Sequence, residues 1–250
     1  MPRTGEIVWE EAGSGPAVLL LHSGITDRRM WEPQIAALSD THRVIRYDAR
    51  GYGESGPIAE PYRPYDDAVA VLDAAGADRA VVVGSSMGGA TAIDMAIARA
   101  DRVAALVGVG SGPRGRTPDP ELRAGWDAAE EAYEAGDVER AIDLDTGMWI
   151  DRGPVFDQVR AWNAAIIARD EDTSQELELD PPAVGRLDEI TCPVLAIVGD
   201  RDQPFVVAGA QLLAEGVRDG HLAVLHGARH LPSLERPDEF NALLLDFLAG

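Results

Sequence analysis

Six short, near-continuous apolar runs constrain this chain more than any other feature. They cover residues 17–21, 43–47, 80–83, 103–109, 193–198 and 222–225. A strand with water on one face alternates apolar and polar residues. A strand covered by helices on both faces need not, so continuous runs predict a buried, mostly parallel sheet. Residues 6–12 are expected to add an edge strand near the start. Between the runs, residues 63–75, 88–99, 205–216 and 237–248 carry apolar side chains at helical spacing. Strand and helix in alternation predict a doubly wound α/β architecture.

One stretch breaks the rhythm. It opens with Gly112-Pro113-Arg114-Gly115, closes with Asp180-Pro181-Pro182 and reads as helical over 119–135, 137–150 and 154–169. Residues 113–185 are therefore expected to be a helical cap inserted into a core made of residues 1–112 and 186–250.

Charge excludes some functions. The 250 residues hold 22 Lys+Arg against 43 Asp+Glu, a net charge of −21. Nucleic-acid binding needs a basic footprint that displaces counterions, and an anionic membrane surface repels such a chain. Neither partner is expected. A single cysteine, Cys192, cannot form an internal disulfide and reads as a small buried hydrophobe. No secretory leader or membrane span is visible, so the expected location is the cytoplasm. The sequence leaves open whether the chain forms a homo-oligomer.

The chemistry-bearing segment is Gly84-Ser85-Ser86-Met87-Gly88-Gly89, directly after the run 80–83 and directly before a helix. A nucleophile at a strand tip must sit on a very tight turn for its hydroxyl to leave the sheet. Glycines two before and two after Ser86 relieve the crowding. The helix then aims its first amides at charge developing on a substrate oxygen.

A serine hydroxyl needs a base. In this order of elements the base falls after the last strand. His226 lies at a strand end, whereas His230 lies in the following loop and is favoured. A carboxylate must fix the imidazole tautomer. Gly199-Asp200-Arg201-Asp202 offers two, of which Asp202 is further into the loop and favoured; Asp200 is the alternative. The oxyanion donors are assigned to the amides of Met87 and Gly24, with Ile25 as the alternative to Gly24.

Asp48-Ala49-Arg50-Gly51-Tyr52-Gly53-Glu54-Ser55 reads as scaffold, with Asp48 and Arg50 placed to pair locally. No phosphate loop and no metal-ligand spacing is present, and no cofactor or metal is expected. Ile25, Trp126, Trp149 and Trp162 are candidates to line a substrate pocket. Arg114, Arg116, Arg152 and Arg160 are candidates to bind a substrate carboxylate, although single charges on helices are more often solvated.

These motifs, in this order, resemble the α/β-hydrolase family over nearly the whole chain. The resemblance rests on His22-Ser23-Gly24, Asp48-x-Arg50-Gly51-x-Gly53-x-Ser55, Gly84-x-Ser86-Met87-Gly88-Gly89, Gly199-Asp200-x-Asp202 and Gly227-x-x-His230. It implies a Ser86–His230–Asp202 triad acting on a small-molecule ester or lactone. Residues 23–31 are similar to the matching segment of 3-oxoadipate enol-lactonases, which implies a small carboxylated lactone. The segment departs from that pattern at Gly24-Ile25 and at His22. The stretch 84–89 is equally similar to carbon–carbon hydrolases of ring-fission products. A ligand-binding module without turnover is the third reading, because a fold does not fix a function.

Overall fold

The computed structural model describes Met1 to Gly250. In chain order the elements are β1 (Arg3–Thr4), β2 (Ile7–Ala12), β3 (Ala17–Leu21), α1 (Glu32–Leu38), β4 (Arg43–Tyr47), α2 (Pro64–Ala74), β5 (Ala80–Ser85), α3 (Met87–Ala98) and β6 (Val103–Val109). There follow α4 (Pro120–Glu134), α5 (Val138–Trp149), α6 (Pro154–Ile167), β7 (Val194–Gly199), α7 (Pro204–Gly216), β8 (Gly220–Leu225), α8 (Pro232–Glu235) and α9 (Pro237–Leu248). The strands form one sheet in the order β1-β2-β4-β3-β5-β6-β7-β8. From β4 to β8 every neighbouring pair is parallel; β1 and β2 pair antiparallel.

The apolar runs are continuous because successive side chains enter two different cores. Leu19, Leu21, Ile45, Val82, Leu106, Ala196 and Val198 face one cluster, with Leu72 of α2, Ile93 of α3 and Leu213 of α7. Val18, Leu20, Val44, Val83, Val107 and Ile197 face the other, with Leu38 of α1 and Phe240 and Leu244 of α9. Removing a Leu or Ile side chain from water contributes about 1.5–3 kcal/mol. Both faces of the central strands collect that contribution, and the architecture is the predicted doubly wound, mostly parallel α/β fold.

Two expectations at the sheet margins fail. Residues 6–12 become β2, but β2 is not an edge: β1 pairs outside it, with Arg3 opposite Val8. The run 222–225 becomes part of β8, yet only Leu225 of it is buried. Leu222 is 39% and Val224 42% exposed, because an outermost strand keeps only partial cover from its helices. The seven-residue α1 is too short to show a helical period and escaped the sequence reading; Pro33 lies in its first turn, and its last residue, Leu38, is fully buried.

Between β6 and β7 lie α4, α5 and α6. Asp119 caps α4 by accepting from the Leu122 amide at 2.9 Å, a typical aspartate N-cap. The segment has no core of its own. Ile150, Phe156, Val159 and Trp162 join the cluster that contains Val18 and Val83. No helix is long and apolar enough to cross a membrane.

Candidate active site

The turn from β5 into α3 carries the strain that the glycine spacing implies. Ser86 has φ 52° and ψ −111°, outside the regions a non-glycine residue prefers, at a typical cost of about 1–3 kcal/mol. Its amide donates to Val109 O at 2.8 Å, which ties the turn to β6. A Cβ at Gly84 would lie 2.2 Å from Gly88 O, and one at Gly88 would lie 2.5 Å from Leu21 O. Backbone presses on backbone at both positions, so only hydrogen fits.

His230 Nε2 lies 2.8 Å from Ser86 Oγ, while His230 Nδ1 lies 2.9 and 3.1 Å from the two Asp202 oxygens. A carboxylate only accepts, so Nδ1 carries the proton and Nε2 is left to accept from the serine hydroxyl. The His230 and Asp202 side chains are 2% and 1% exposed. Gly110, at φ +53°, makes room for them: a Cβ there would lie 2.7 Å from His230 O and 3.5 Å from Asp202 Oδ2. The Trp149 ring packs over the imidazole with centroids 4.3 Å apart.

The two rival residues pair with each other instead. Asp200 Oδ2 accepts from His226 Nδ1 at 2.9 Å and Asp200 Oδ1 from the Gly227 amide at 2.7 Å. The His226 side chain is 86% exposed. Those bonds, the histidine's first, hold the Asp200 carboxyl below the usual carboxylate range. Asp200 therefore shapes the turn at the surface, and Asp202 reaches the serine side.

Near Ser86, the amides of Gly24 and Met87 make no hydrogen bond within the chain. The Ile25 amide already faces Ser23 Oγ at 3.5 Å. His22, part of the motif but given no role by the sequence reading, holds this loop. Its Nδ1–H donates to Ser23 O at 2.8 Å, and its Nε2 accepts from the Ala49 amide at 3.0 Å. Burial lowers its pKa and keeps it neutral, which that bonding pattern requires.

Two cavities meet at the serine. One, of 590 Å³, runs past Gly24, Ile25, Tyr52, Asp145 and Thr173. The other, of 410 Å³, runs past Arg114, Arg116, Leu122 and Phe205. Both are walled by Trp126, Trp149 and His230. Trp162 is not there. It shares one face of α6 with Phe156 and Val159, is turned into the core, and carries the Arg29 guanidinium over its ring at 5.6 Å.

The four candidate arginines separate in the same way. Arg152 and Arg160 pair with Asp143 on the surface of α5, away from both cavities. Arg114 lines the smaller cavity but pairs with Asp94 at 3.1 Å and with Glu178 at 3.5 Å. Arg116 has no carboxylate partner. It donates to Phe205 O at 2.6 Å and lies 3.9 Å over the Phe205 ring, and burial lowers its pKa.

Asp48 and Arg50 do not pair locally. Asp48 accepts from the Arg28 amide at 2.9 Å and from the Glu54 amide at 2.8 Å, and Arg50 meets Asp67 at 2.9 Å. Their loop also sends Tyr52 into the larger cavity. Tyr52 and Asp145 are site residues that the sequence reading missed, since nothing local marks them. Burial pushes the Asp145 carboxyl up, although Asn163 donates to it at 2.8 Å.

Comparison with known proteins fits this geometry. The model of the Alpha/beta hydrolase family matches residues 18–243. The chain is 29% identical over 252 residues to 3-oxoadipate enol-lactonase 1 of Acinetobacter baylyi, covering 94% of this chain and 89% of that protein. It is 31% identical over 262 residues to 2-hydroxy-6-oxo-6-phenylhexa-2,4-dienoate hydrolase of Burkholderia cepacia, covering 96% and 90%. Among solved structures, the enol-lactonase from Burkholderia xenovorans LB400 superposes with a TM-score of 0.78 at 26% identity, covering 98% of this chain and 96% of that one.

Proposed function

The chain belongs to the alpha/beta hydrolase family, and from that premise we propose that it is a serine hydrolase cleaving a carboxylic ester or lactone. The observation that carries this reading is the buried series Ser86 Oγ, His230 Nε2, His230 Nδ1 and Asp202, with links of 2.8 and 2.9 Å, at the meeting point of two cavities.

In this mechanism His230 Nε2 takes the hydroxyl proton as Ser86 Oγ attacks the carbonyl carbon. The tetrahedral oxyanion accepts from the Gly24 and Met87 amides. Loss of one such donor typically costs about 10²–10³ in rate. Collapse expels the alkoxide, which takes the proton from His230; in a lactone it stays tethered to the acyl chain. Water then gives a proton to His230, attacks the acyl carbon and releases the acid, and the proton returns to Ser86. Asp202 stabilises the imidazolium in both halves without taking its proton.

Residues 113–185 act as a cap over Ser86, with Trp126 and Trp149 shaping the pocket. The enol-lactonase relatives support a carboxylated lactone as substrate. The chain has no lysine, and Arg116 is the cavity arginine without an acidic partner. We assign the substrate carboxylate to it. The carbon–carbon reading draws on the Burkholderia cepacia relative and keeps the same three residues.

A fluorophosphonate probe tests the core of the proposal. Ser86 should be labelled, and Ser86→Ala should abolish labelling. An unlabelled wild-type protein would leave a binding module. Turnover of p-nitrophenyl esters, an enol-lactone and a ring-fission product, measured side by side, separates the substrate classes.

A further inference from the structure

We propose that Glu235 is a positioning residue for His230: its carboxylate grips the backbone on both sides of the imidazole-bearing residue. Oε2 accepts from the Arg229 amide at 2.5 Å and Oε1 from the Leu231 amide at 3.1 Å. The amide between them, that of His230, reaches Trp149 O at 3.4 Å. Three consecutive amides of one loop thus have acceptors, two of them on a single side chain.

The loop needs this grip because it has no strand partner of its own. On one side it presses against the end of β7, where a Cβ at Gly199 would lie 2.3 Å from both Ala228 O and Arg229 O. Above, the Arg229 side chain donates to Gly147 O and Met148 O, and from below Glu235 grips the backbone itself. A histidine that must meet both a hydroxyl and a carboxylate tolerates only about 0.5 Å of drift, and side chains on unsupported loops rarely stay within that.

Glu235 has no other assignment. It forms no salt bridge, although a half-buried carboxylate ordinarily finds a cation. Burial pushes its pKa up, and the two amide bonds pull it down. Glu239, four residues on, shows the ordinary alternative: it is exposed and paired with Arg236 on its own helix. Glu235 touches no reacting atom and transfers no proton. It acts through the loop, and the proposal rests on Ser86 and His230 acting as described above.

The test is Glu235→Gln, which keeps the size but replaces one accepting oxygen with an amide that cannot accept. Misplacement of a catalytic group by about 1 Å costs on the order of 10²-fold. The expected result is a fall of about 10- to 100-fold in kcat for a p-nitrophenyl ester and in the rate of Ser86 labelling. KM should stay within about twofold, since neither cavity includes Glu235. The downfield proton resonance of His230 Nδ1–H should broaden, reporting a loosened bond to Asp202. Glu239→Gln should leave all three readings unchanged.

Should Glu235→Gln fail to fold, Glu235→Asp keeps both acceptors on a shorter arm. It should show the same losses in smaller measure at an unchanged melting temperature. Wild-type kcat and a sharp resonance in a folded variant would overturn the proposal. So would a loss of activity that only tracks the unfolded fraction. Absence of labelling in the wild-type protein is a different failure, which removes the serine mechanism itself whatever Glu235 does.

Discussion

The rim of the sheet and the helices above it are built on opposite terms. At the rim, Gly84, Gly88, Gly110 and Gly199 each hold a position where a Cβ would come within 2.2–2.7 Å of another residue's backbone oxygen. Backbone cannot step aside, so α3 is held close against the ends of β3 and β5, and the loop carrying His230 against the ends of β6 and β7. In α4 the contacts are made by side-chain ends. Only Leu122 and Ala132 of its 15 residues are buried, Trp126 is 38% exposed, and a Cβ at Gly125 would meet only the flexible Met148 side chain. The rim can hold three side chains to hydrogen-bond tolerance. The helices offer a surface that changes without disturbing them. Under the proposed function, bond cleavage belongs to the rim and substrate choice to the helices.

The largest expected effect tests the rim. Asp202→Asn should lower kcat by about 10⁴-fold, because an amide no longer enforces the imidazole tautomer or balances the imidazolium. Asp200→Asn, two residues away, should change kcat by less than about threefold, since it removes only an exposed pair with His226. Steady-state kinetics on one ester decides the matter. Equal losses would mean that burial at the rim is not what separates the two aspartates.

The same division explains what could be read from the sequence. The rim was legible because its constraint is local: Gly84, Ser86 and Gly88 carry their geometry in three alternate positions, and Asp202 and His230 stand further into their loops than Asp200 and His226. The walls of the cavities were not. Trp126 and Trp162 look alike as tryptophans on helices, and only packing turns one to the cavity and the other to Phe156 and Val159. Arg114 and Arg116 stand two residues apart, yet the partners of Arg114 are Asp94 and Glu178, 20 and 64 positions away. The freedom of Arg116 is a fact about tertiary structure. At the sheet margins, β1 is two residues long and gives no pattern, so β2 read as an edge.

A smaller effect tests the helices' side of the division. Arg116→Met should lower kcat/KM about 10- to 100-fold for the monoester of a dicarboxylic acid, the range of a charge-assisted hydrogen bond worth about 1.5–3 kcal/mol. A neutral ester of equal length should change by less than about threefold. Equal losses on both substrates would place Arg116 in packing against Phe205 rather than in recognition.

The last effect is on stability rather than turnover and concerns the joint between the regions, the ion pair of Asp94 on α3 with Arg114 at the cavity wall. Burial pushes the Asp94 carboxyl up to about 6, against the pull of Arg114, and its Oδ1 has no hydrogen-bond partner. Between the unfolded value near 3.8 and the folded value, the native state binds more protons than the unfolded one. Stability from this site therefore falls as pH rises through that window, and the full cost is present above it. At about 1.4 kcal/mol per pH unit the cost is about 3 kcal/mol. Asp94→Asn carries no charge to desolvate and keeps an oxygen facing Arg114. Its melting temperature should exceed the wild type by roughly 6–12 °C at pH 8, at roughly 2–4 °C per kcal/mol for a chain of this size. The gap should close to about zero by pH 4. A gap that persisted at pH 4, or changed sign at pH 8, would mean that Arg114 holds Asp94 ionised and that the joint is an ordinary salt bridge.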